Sequence, residues 1–122
     1  MVDVFGLQQD FLNYSGLADI PDTYTLEERI DMSENLVREE INEWLLEERY
    51  TPKDLKEATD MMYVLAQYLN VTYGTKIAQE AFRRVHTNNM SKISGDIVRR
   101  DDGKVQKNVG YKKVSLADLL DG

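Results

Sequence analysis

Cysteine is absent from the sequence, and histidine occurs once, at His86. These absences exclude disulfide bonds, thiolate metal sites, and zinc or iron sites built from several histidines. The chain also lacks an apolar run near the roughly 18 residues of a membrane span, and it does not open with a basic region followed by an apolar stretch. We therefore expect a cytoplasmic protein without a membrane partner, in which oxygen atoms hold any metal ion.

Basic residues are outnumbered, with 15 Lys and Arg against 22 Asp and Glu, and the net charge is −7. This balance argues against a nucleic-acid polymer as partner. The charges are also separated, since residues 1–82 hold 17 acidic and 6 basic residues whereas residues 83–113 hold 3 and 9. An acidic body followed by a basic tail suits a nucleotide that arrives with Mg²⁺. Ordinary variation of charge on solvated surfaces accounts for the pattern equally well.

The length of 122 residues predicts a single domain, 1–122. Apolar residues recur at helical spacing, and we predict an all-α bundle of four to five helices. Its helical body covers about 3–90, and an extended basic C-terminal tail covers about 91–122. A chain this short buries only about two-thirds of the surface that it exposes when unfolded. We therefore expect a homodimer or homotetramer, assembled through Leu and Met faces.

Helix boundary signals define the two longest helices. Thr25-Leu-Glu-Glu28 has the form of a capping box, and the helix that it opens runs to about Arg49. Thr51 before Pro52 opens the next helix, which Tyr73-Gly74 ends. The short connection between them predicts an antiparallel hairpin. Other signals predict a helix over 3–14, a helix capped by Thr75 that ends near Asn89, a short hairpin or extended loop after Gly95, and a last turn capped at Ser115.

Both long helices carry an apolar stripe, which we predict to be buried. The stripes are Leu26, Ile30, Val37, Ile41 and Trp44 on the first helix, and Leu55, Ala58, Met62, Leu65 and Leu69 on the second. Leu36 lies outside the first stripe, among carboxylates, so we expect another helix or subunit to cover it.

Carboxylates occupy a different face of each long helix. Glu39, Glu40 and Glu43 fall within an arc of about 100° on the first, and Glu57 and Asp60 are one turn apart on the second. In a hairpin the two acidic patches can face each other, and they would repel unless cations lie between them. Hard oxygen ligands favour Mg²⁺ or Mn²⁺. The alternative is a solvated face on which Lys53 or Lys56 neutralises the acids of the second helix.

The acidic segments form two spaced motifs. Glu39-Glu40-Ile-Asn-Glu43 is followed, after 13 intervening residues, by Glu57-Ala-Thr-Asp60. This ExxE and ExxD pair resembles that of the MazG-like all-α nucleotide pyrophosphohydrolases, as does the tyrosine just after the ExxD, Tyr63. The segments 85–92 and 100–107, with Tyr111, resemble the tail of the phosphoribosyl-ATP pyrophosphohydrolase-like branch, which includes dUTPase-like members. The likeness covers about residues 5–112.

The resemblance implies that Glu40, Glu43, Glu57 and Asp60 hold Mg²⁺, with Mn²⁺ as the alternative ion. Glu39 either binds a further metal or orients the attacking water, or it simply faces solvent. Tyr63 lies beside the metal pair and would pack on the deoxyribose. Contacts to phosphate or sugar, from the same or a neighbouring subunit, are implied for Asn89, Lys92, Arg100, Lys104, Lys107 and Tyr111.

Two further residues have less specific interpretations. We interpret His86 as a hydrogen-bonded helix residue, because no second histidine is available to complete a metal site. Phe11 could stack on a base, but it also fits the apolar stripe of the first helix, and we expect it in the core.

The activity implied by the resemblance is hydrolysis of a (d)NTP at the α–β phosphoanhydride, which yields (d)NMP and pyrophosphate. A second enzymatic interpretation is phosphoribosyl-ATP pyrophosphohydrolysis in histidine biosynthesis, because the tail motif is shared across the branch. The non-enzymatic interpretation is a helical oligomerisation module whose glutamates form a solvated face.

Overall fold

A computed structural model describes residues 2–92, 98–99, 102, 105–106 and 114–121. In these ranges the protein forms five α-helices and one pair of short strands: α1 (Val4–Ser15), α2 (Ile20–Thr23), α3 (Leu26–Leu45), α4 (Pro52–Tyr73), α5 (Thr75–Ser91), β1 (Val98–Arg99) and β2 (Val105–Gln106). The predicted all-α class is confirmed. None of the described helices combines the length and apolar character needed to cross a bilayer.

The chain divides into two compact units, Met1–Ala78 and Gln79–Gly122. The first unit contains α1 to α4 and the first turn of α5. The second contains the rest of α5, the strand pair and a 3₁₀ turn at Ala117–Leu120.

Side-chain caps define the ends of the hairpin helices. The Thr25 hydroxyl accepts from the Glu28 amide at 3.1 Å, and the Glu28 carboxylate accepts from the Thr25 amide at 2.9 Å, which completes the predicted capping box. The Thr51 hydroxyl accepts from the Asp54 amide at 3.1 Å, ahead of Pro52 in the first turn. These local bonds explain why the sequence predicted both helix starts correctly.

Two predicted helix caps, at Thr75 and Ser115, were wrong, and one short helix was not predicted. Thr75 is the first residue of α5, and its hydroxyl donates to Gln9 Oε1 at 2.9 Å instead of capping. Ser115 makes no cap for the 3₁₀ turn, which starts after Leu116. The short helix α2, which begins at Ile20, was not predicted at all.

The core of the first unit is small and partly polar. Two apolar clusters lie where α1 packs on α4, one of Phe5, Ala66 and Ala78 and the other of Leu12, Ile20 and Val71. Between them Asn70 Nδ2 donates to Gln8 Oε1 at 2.8 Å and to the Phe5 carbonyl at 3.0 Å, and Gln8 Nε2 donates to Gln67 Oε1 at 3.1 Å. Gln8 and Asn70 are buried. Amide side chains therefore help to set the register of α1 on α4.

The apolar stripe predicted for α4 is only partly buried, since Ala58 and Leu69 are half-buried but the other three members are not. Leu55 is 71% exposed and Met62 is 60% exposed, and Leu65 is also exposed.

The stripe predicted for α3 is also divided, since Ile30 and Ile41 are exposed whereas Val37 and Trp44 are half-buried. Glu40, Glu57 and Asp60 lie on the faces through which α3 and α4 pack, so the exposed members of both stripes lie on other faces of the helices.

Leu36 is half-buried, as predicted, and it lines a small cavity together with Ile20, Met32 and Val71. Ser33 is buried beside it, and Arg29 Nη1 donates to the Val71 carbonyl at 2.8 Å. Arg29, Ser33 and Leu36 lie on the face of α3 that packs against α4, and Glu40 follows Leu36 on the same face by one turn.

In the second unit, an arginine connects α5 to the C-terminal turn. Arg84 Nη1 and Nη2 donate to the two carboxylate oxygens of Asp118 at 2.6 and 2.9 Å, and Arg84 Nε donates to Glu80 Oε1 at 3.0 Å. The strands β1 and β2 pair antiparallel, with Val98 opposite Gln106 and Arg99 opposite Val105.

Gln8→Ala is expected to lower the free energy of unfolding by about 1–3 kcal/mol, because it removes one buried and one partly buried hydrogen bond and leaves the Gln67 acceptor unpaired. Equilibrium denaturant unfolding measures the change. Asn35→Ala, on an exposed position of α3, is the control and should change the value by no more than about 0.5 kcal/mol. Equal stability of the Gln8 variant and the wild type would contradict a structural role for the amide network.

Candidate metal centre

Three carboxylates from α3 and α4 converge. Glu40 comes from α3, and Glu57 and Asp60 come from successive turns of α4, with one oxygen of each within 4.8 Å of the others. All three are partly buried, and the Glu57 side chain is only 16% exposed. Among the described residues, these three acidic side chains are close enough together to hold one metal ion. The predicted facing of the two acidic patches is therefore present in the structure.

The connection between α3 and α4 is held by a cluster of bonds around Asp54. Asp54 Oδ1 accepts from Trp44 Nε1 at 2.8 Å and from Arg49 Nη1 at 3.1 Å, and Oδ2 accepts from the Tyr50 amide at 2.9 Å. The Arg49 guanidinium also lies 3.8 Å from the centre of the Trp44 ring. These bonds, the Tyr50 amide above all, hold the pKa of Asp54 below its usual value. We call these bonds of Asp54 to Trp44, Arg49 and Tyr50 the clamp. Because Glu57 follows Asp54 by one turn, the clamp helps to fix the position of Glu57 opposite α3.

Tyr50 adopts a left-handed backbone conformation within this connection, with φ of 59°. A non-glycine residue in that region is strained, and surrounding bonds must hold it there. The hydrogen bond from its amide to Asp54 is one such bond. Sequence reasoning did not identify this clamp, although the Thr51 cap beside it was visible.

Burial and repulsion make the cluster electrostatically unfavourable. Burial raises the pKa of Glu40 most, and the negative charges of Glu43, Asp60 and Glu57 raise it further. Glu40 Oε2 and Glu57 Oε2 are buried and have no hydrogen-bond partner. A buried carboxylate oxygen without a donor carries a desolvation cost that a bound cation would offset. The donor set and the orphaned oxygens therefore fit a hard divalent cation such as Mg²⁺ or Mn²⁺.

A lysine already contacts the outer side of the cluster. Lys56 Nζ lies 2.6 Å from Asp60 Oδ2 and 3.7 Å from Glu57 Oε1. The hydrogen bond to Asp60 is the main reason why the pKa of Lys56 is raised. Of the two lysines that the sequence offered as neutralising partners, Lys56 is the one that pairs with both acids.

The remaining glutamates of the first motif, Glu39 and Glu43, are not among the converging carboxylates. Glu43 is exposed, yet it is close enough for its charge to raise the pKa of Glu40. Glu39 is also exposed and is not among the three converging residues. The structure thus brings together Glu40, Glu57 and Asp60, and leaves Glu39 and Glu43 facing solvent.

Two aromatic side chains meet near the site. The rings of Phe11 and Tyr63 make an edge-to-face contact, with centroids 5.8 Å apart and planes at 81°. Phe11 is 46% exposed, so the expectation that it lies in the core was wrong. Tyr63 is one turn beyond Asp60 on α4 and is also partly exposed. The sequence did not predict this contact, because it joins residues of different helices.

Of the six residues expected to contact phosphate or sugar, the structure describes two, Asn89 and Lys92. Lys92 Nζ donates to Asn89 Oδ1 at 2.9 Å at the end of α5, within the second unit. Arg100, Lys104, Lys107 and Tyr111 lie outside the described residues. His86 is exposed on α5.

Glu40→Gln is expected to raise the midpoint of thermal unfolding at pH 7 in buffer without divalent cations. The raised pKa of Glu40 means that its ionised form destabilises the folded state above that pKa. The advantage of the variant should vanish as the pH falls below the ordinary glutamate value of 4.5, where Glu40 is protonated in folded and unfolded chains alike.

The matched control is Glu39→Gln, which removes the same charge from the neighbouring exposed position and should leave the midpoint nearly unchanged. A lower midpoint for Glu40→Gln at pH 7, or a difference from the wild type that is independent of pH, would argue against a strained carboxylate cluster.

Three comparisons with known proteins found no match for this chain. No family model matches the chain, and no curated protein or solved structure does either. The likeness to MazG-like enzymes rests on the residue motifs alone.

Proposed function

We propose that the protein is a divalent-metal-dependent nucleoside triphosphate pyrophosphohydrolase. It would cleave a (d)NTP at the α–β phosphoanhydride, consuming one water and releasing (d)NMP and pyrophosphate. The observation that carries the proposal is the convergence of Glu40, Glu57 and Asp60 with two buried oxygens that lack partners. These three residues belong to the ExxE and ExxD motifs that resemble the metal-binding motifs of MazG-like enzymes.

An acidic site suits a triphosphate only when cations are present, because both carry negative charge. Mg²⁺, or Mn²⁺ in its place, would neutralise the phosphates and stabilise charge that develops on the leaving pyrophosphate. Glu40, Glu57 and Asp60 would hold the ion. Glu43, exposed one turn beyond Glu40, would join them at the solvent side.

Other residues of the chain would bind or orient the substrate. Glu39 faces solvent on the same helix and would orient the attacking water, or else takes no part. Tyr63, supported by the Phe11 ring, would pack against the deoxyribose. The tail residues that would contact phosphate or sugar are Asn89, Lys92, Arg100, Lys104, Lys107 and Tyr111.

Two other functions are alternatives to this proposal. Hydrolysis of phosphoribosyl-ATP breaks the same type of bond with the same carboxylates, and differs only in the substrate. A non-catalytic oligomerisation module is favoured by the Lys56–Asp60 ion pair, which is common on solvated helix faces, and by the exposed apolar stripe of α4.

Pyrophosphate release from dNTPs, NTPs and phosphoribosyl-ATP with Mg²⁺ or Mn²⁺ tests the proposal. We expect metal-dependent turnover by the wild type and a loss of about 100-fold or more in Glu40→Gln and Asp60→Asn, because each removes a ligand charge. The control is Glu34→Gln, which removes an exposed carboxylate that pairs with Arg38 on the same helix and should retain activity.

The best substrate in this panel would separate (d)NTP hydrolysis from phosphoribosyl-ATP hydrolysis. Absence of turnover on every substrate, with variants that are as stable as the wild type and indifferent to Mg²⁺, would favour the oligomerisation module.

We also propose that the protein assembles as a homodimer or homotetramer through the apolar stripe of α4. Leu55, Met62 and Leu65 are exposed along one side of this helix. Exposed large apolar side chains on one side of a helix are unfavourable in water, and a second copy of the same stripe would bury them.

Sedimentation velocity tests the assembly. Leu55→Ser combined with Met62→Ser should shift the wild-type oligomer toward the monomer without unfolding the chain, because both side chains are already exposed. Leu46→Ser changes an exposed leucine in the connection after α3, outside the stripe, and should leave the oligomer intact. A wild type that sediments as a stable monomer would contradict the proposal.

A further inference from the structure

Lys56 is positioned as a counter-ion for the carboxylate cluster. Its ammonium lies 2.6 Å from Asp60 Oδ2 and 3.7 Å from Glu57 Oε1. The charge of Lys56 also acts on Glu40, where it opposes the effect of the neighbouring acids. A single ammonium therefore offsets part of the charge of all three carboxylates.

The ammonium leaves the inner side of the cluster unpaired. The oxygens without partners, Glu40 Oε2 and Glu57 Oε2, are buried, whereas the Lys56 side chain is 67% exposed and approaches from outside. Lys56 thus neutralises charge without satisfying the buried acceptors. These inner oxygens are the ones that a small ion without a side-chain stem could reach.

Lys56 and a divalent ion would compete for the negative charge of Asp60, since Lys56 Nζ already contacts one of its two carboxylate oxygens. An ammonium in hydrogen-bond contact with the carboxylate would lie within a few ångströms of the ion, and the two positive charges would repel with little solvent between them. Release of the lysine is inexpensive, because exposed ion pairs contribute little to stability and the four-carbon stem can turn toward water.

We propose that Lys56 is a displaceable internal cation of the metal site: it binds Asp60 when no ion is present, leaves Asp60 when Mg²⁺ or Mn²⁺ enters, and so lowers the affinity of the site for the ion. The inference rests on the proposed function, since it presupposes that Glu40, Glu57 and Asp60 hold a divalent ion. It adds a residue outside the ExxE and ExxD motifs that regulates their occupancy.

Mn²⁺ binding without nucleotide, measured by electron paramagnetic resonance at fixed ionic strength, tests the competition. Lys56→Gln is expected to bind Mn²⁺ about tenfold more tightly than the wild type, because it removes a positive charge in direct contact with a ligand. Lys53→Gln removes the same charge three residues earlier from an exposed position of α4, and should change the affinity by no more than about twofold.

A second measurement follows the displacement itself. In the wild type, the Lys56 side-chain resonances, assigned by their absence from Lys56→Gln, should shift as Mg²⁺ is added, with the same midpoint as Mg²⁺ binding. The Lys53 resonances should not follow that midpoint. Thermal unfolding of Lys56→Gln confirms that the variant is folded, which its exposure makes the expected result.

The outcomes separate this inference from the proposed function. If neither the wild type nor Lys56→Gln binds Mn²⁺, the metal site and the role of Lys56 are both wrong. If the wild type binds Mn²⁺ and Lys56→Gln binds with equal affinity, the metal site stands and the displaceable lysine is wrong. Equal tightening in Lys56→Gln and Lys53→Gln would show a general charge effect, and it would also overturn the specific role.

Discussion

The packing of α3 on α4 holds three carboxylates close together, and the rest of the candidate site depends on this constraint. Glu40 reaches the cluster from α3, and Glu57 and Asp60 reach it from α4, so that packing these helices brings like charges together. The consequences are visible in the raised pKa of Glu40 and in the buried oxygens without partners. A packing arrangement that costs free energy in this way is typical of sites that bind a ligand of opposite charge.

The helices around the cluster supply the rigidity that such an arrangement requires. Asp54 ties the connection between α3 and α4 together, and its bonds to Trp44 and Tyr50 fix the start of α4. On the other side of α4, the buried amides of Gln8 and Asn70 hold α1 in register. The acids therefore sit on elements whose relative positions are set by hydrogen bonds rather than by a large apolar core.

Placing acidic faces between the helices has a cost elsewhere. A helix has a limited circumference, and the side of α4 that packs on α3 carries Glu57 and Asp60, so Leu55, Met62 and Leu65 remain outside. The same choice of packed face accounts for the partly buried acidic site and for the exposed apolar side chains of α4. A bound cation would offset the charge of the acidic site, and self-association would bury the exposed apolar side chains. Both would compensate for the same packing of α4 on α3.

Local patterns in the sequence were sufficient for the all-α class, the capping of α3 and α4, and the spacing of Glu57 and Asp60 by one turn, because caps and helix periodicity depend on residues three or four apart. Local patterns also limited the neutralising partner to Lys53 or Lys56. Contacts between helices determined the rest. They selected the acidic face of α4 for packing on α3 and brought Phe11 to Tyr63, and they left Leu55, Met62 and Leu65 of the predicted α4 stripe exposed. The physical reason is that periodicity identifies the faces of a helix, whereas the neighbouring helices determine which face is buried.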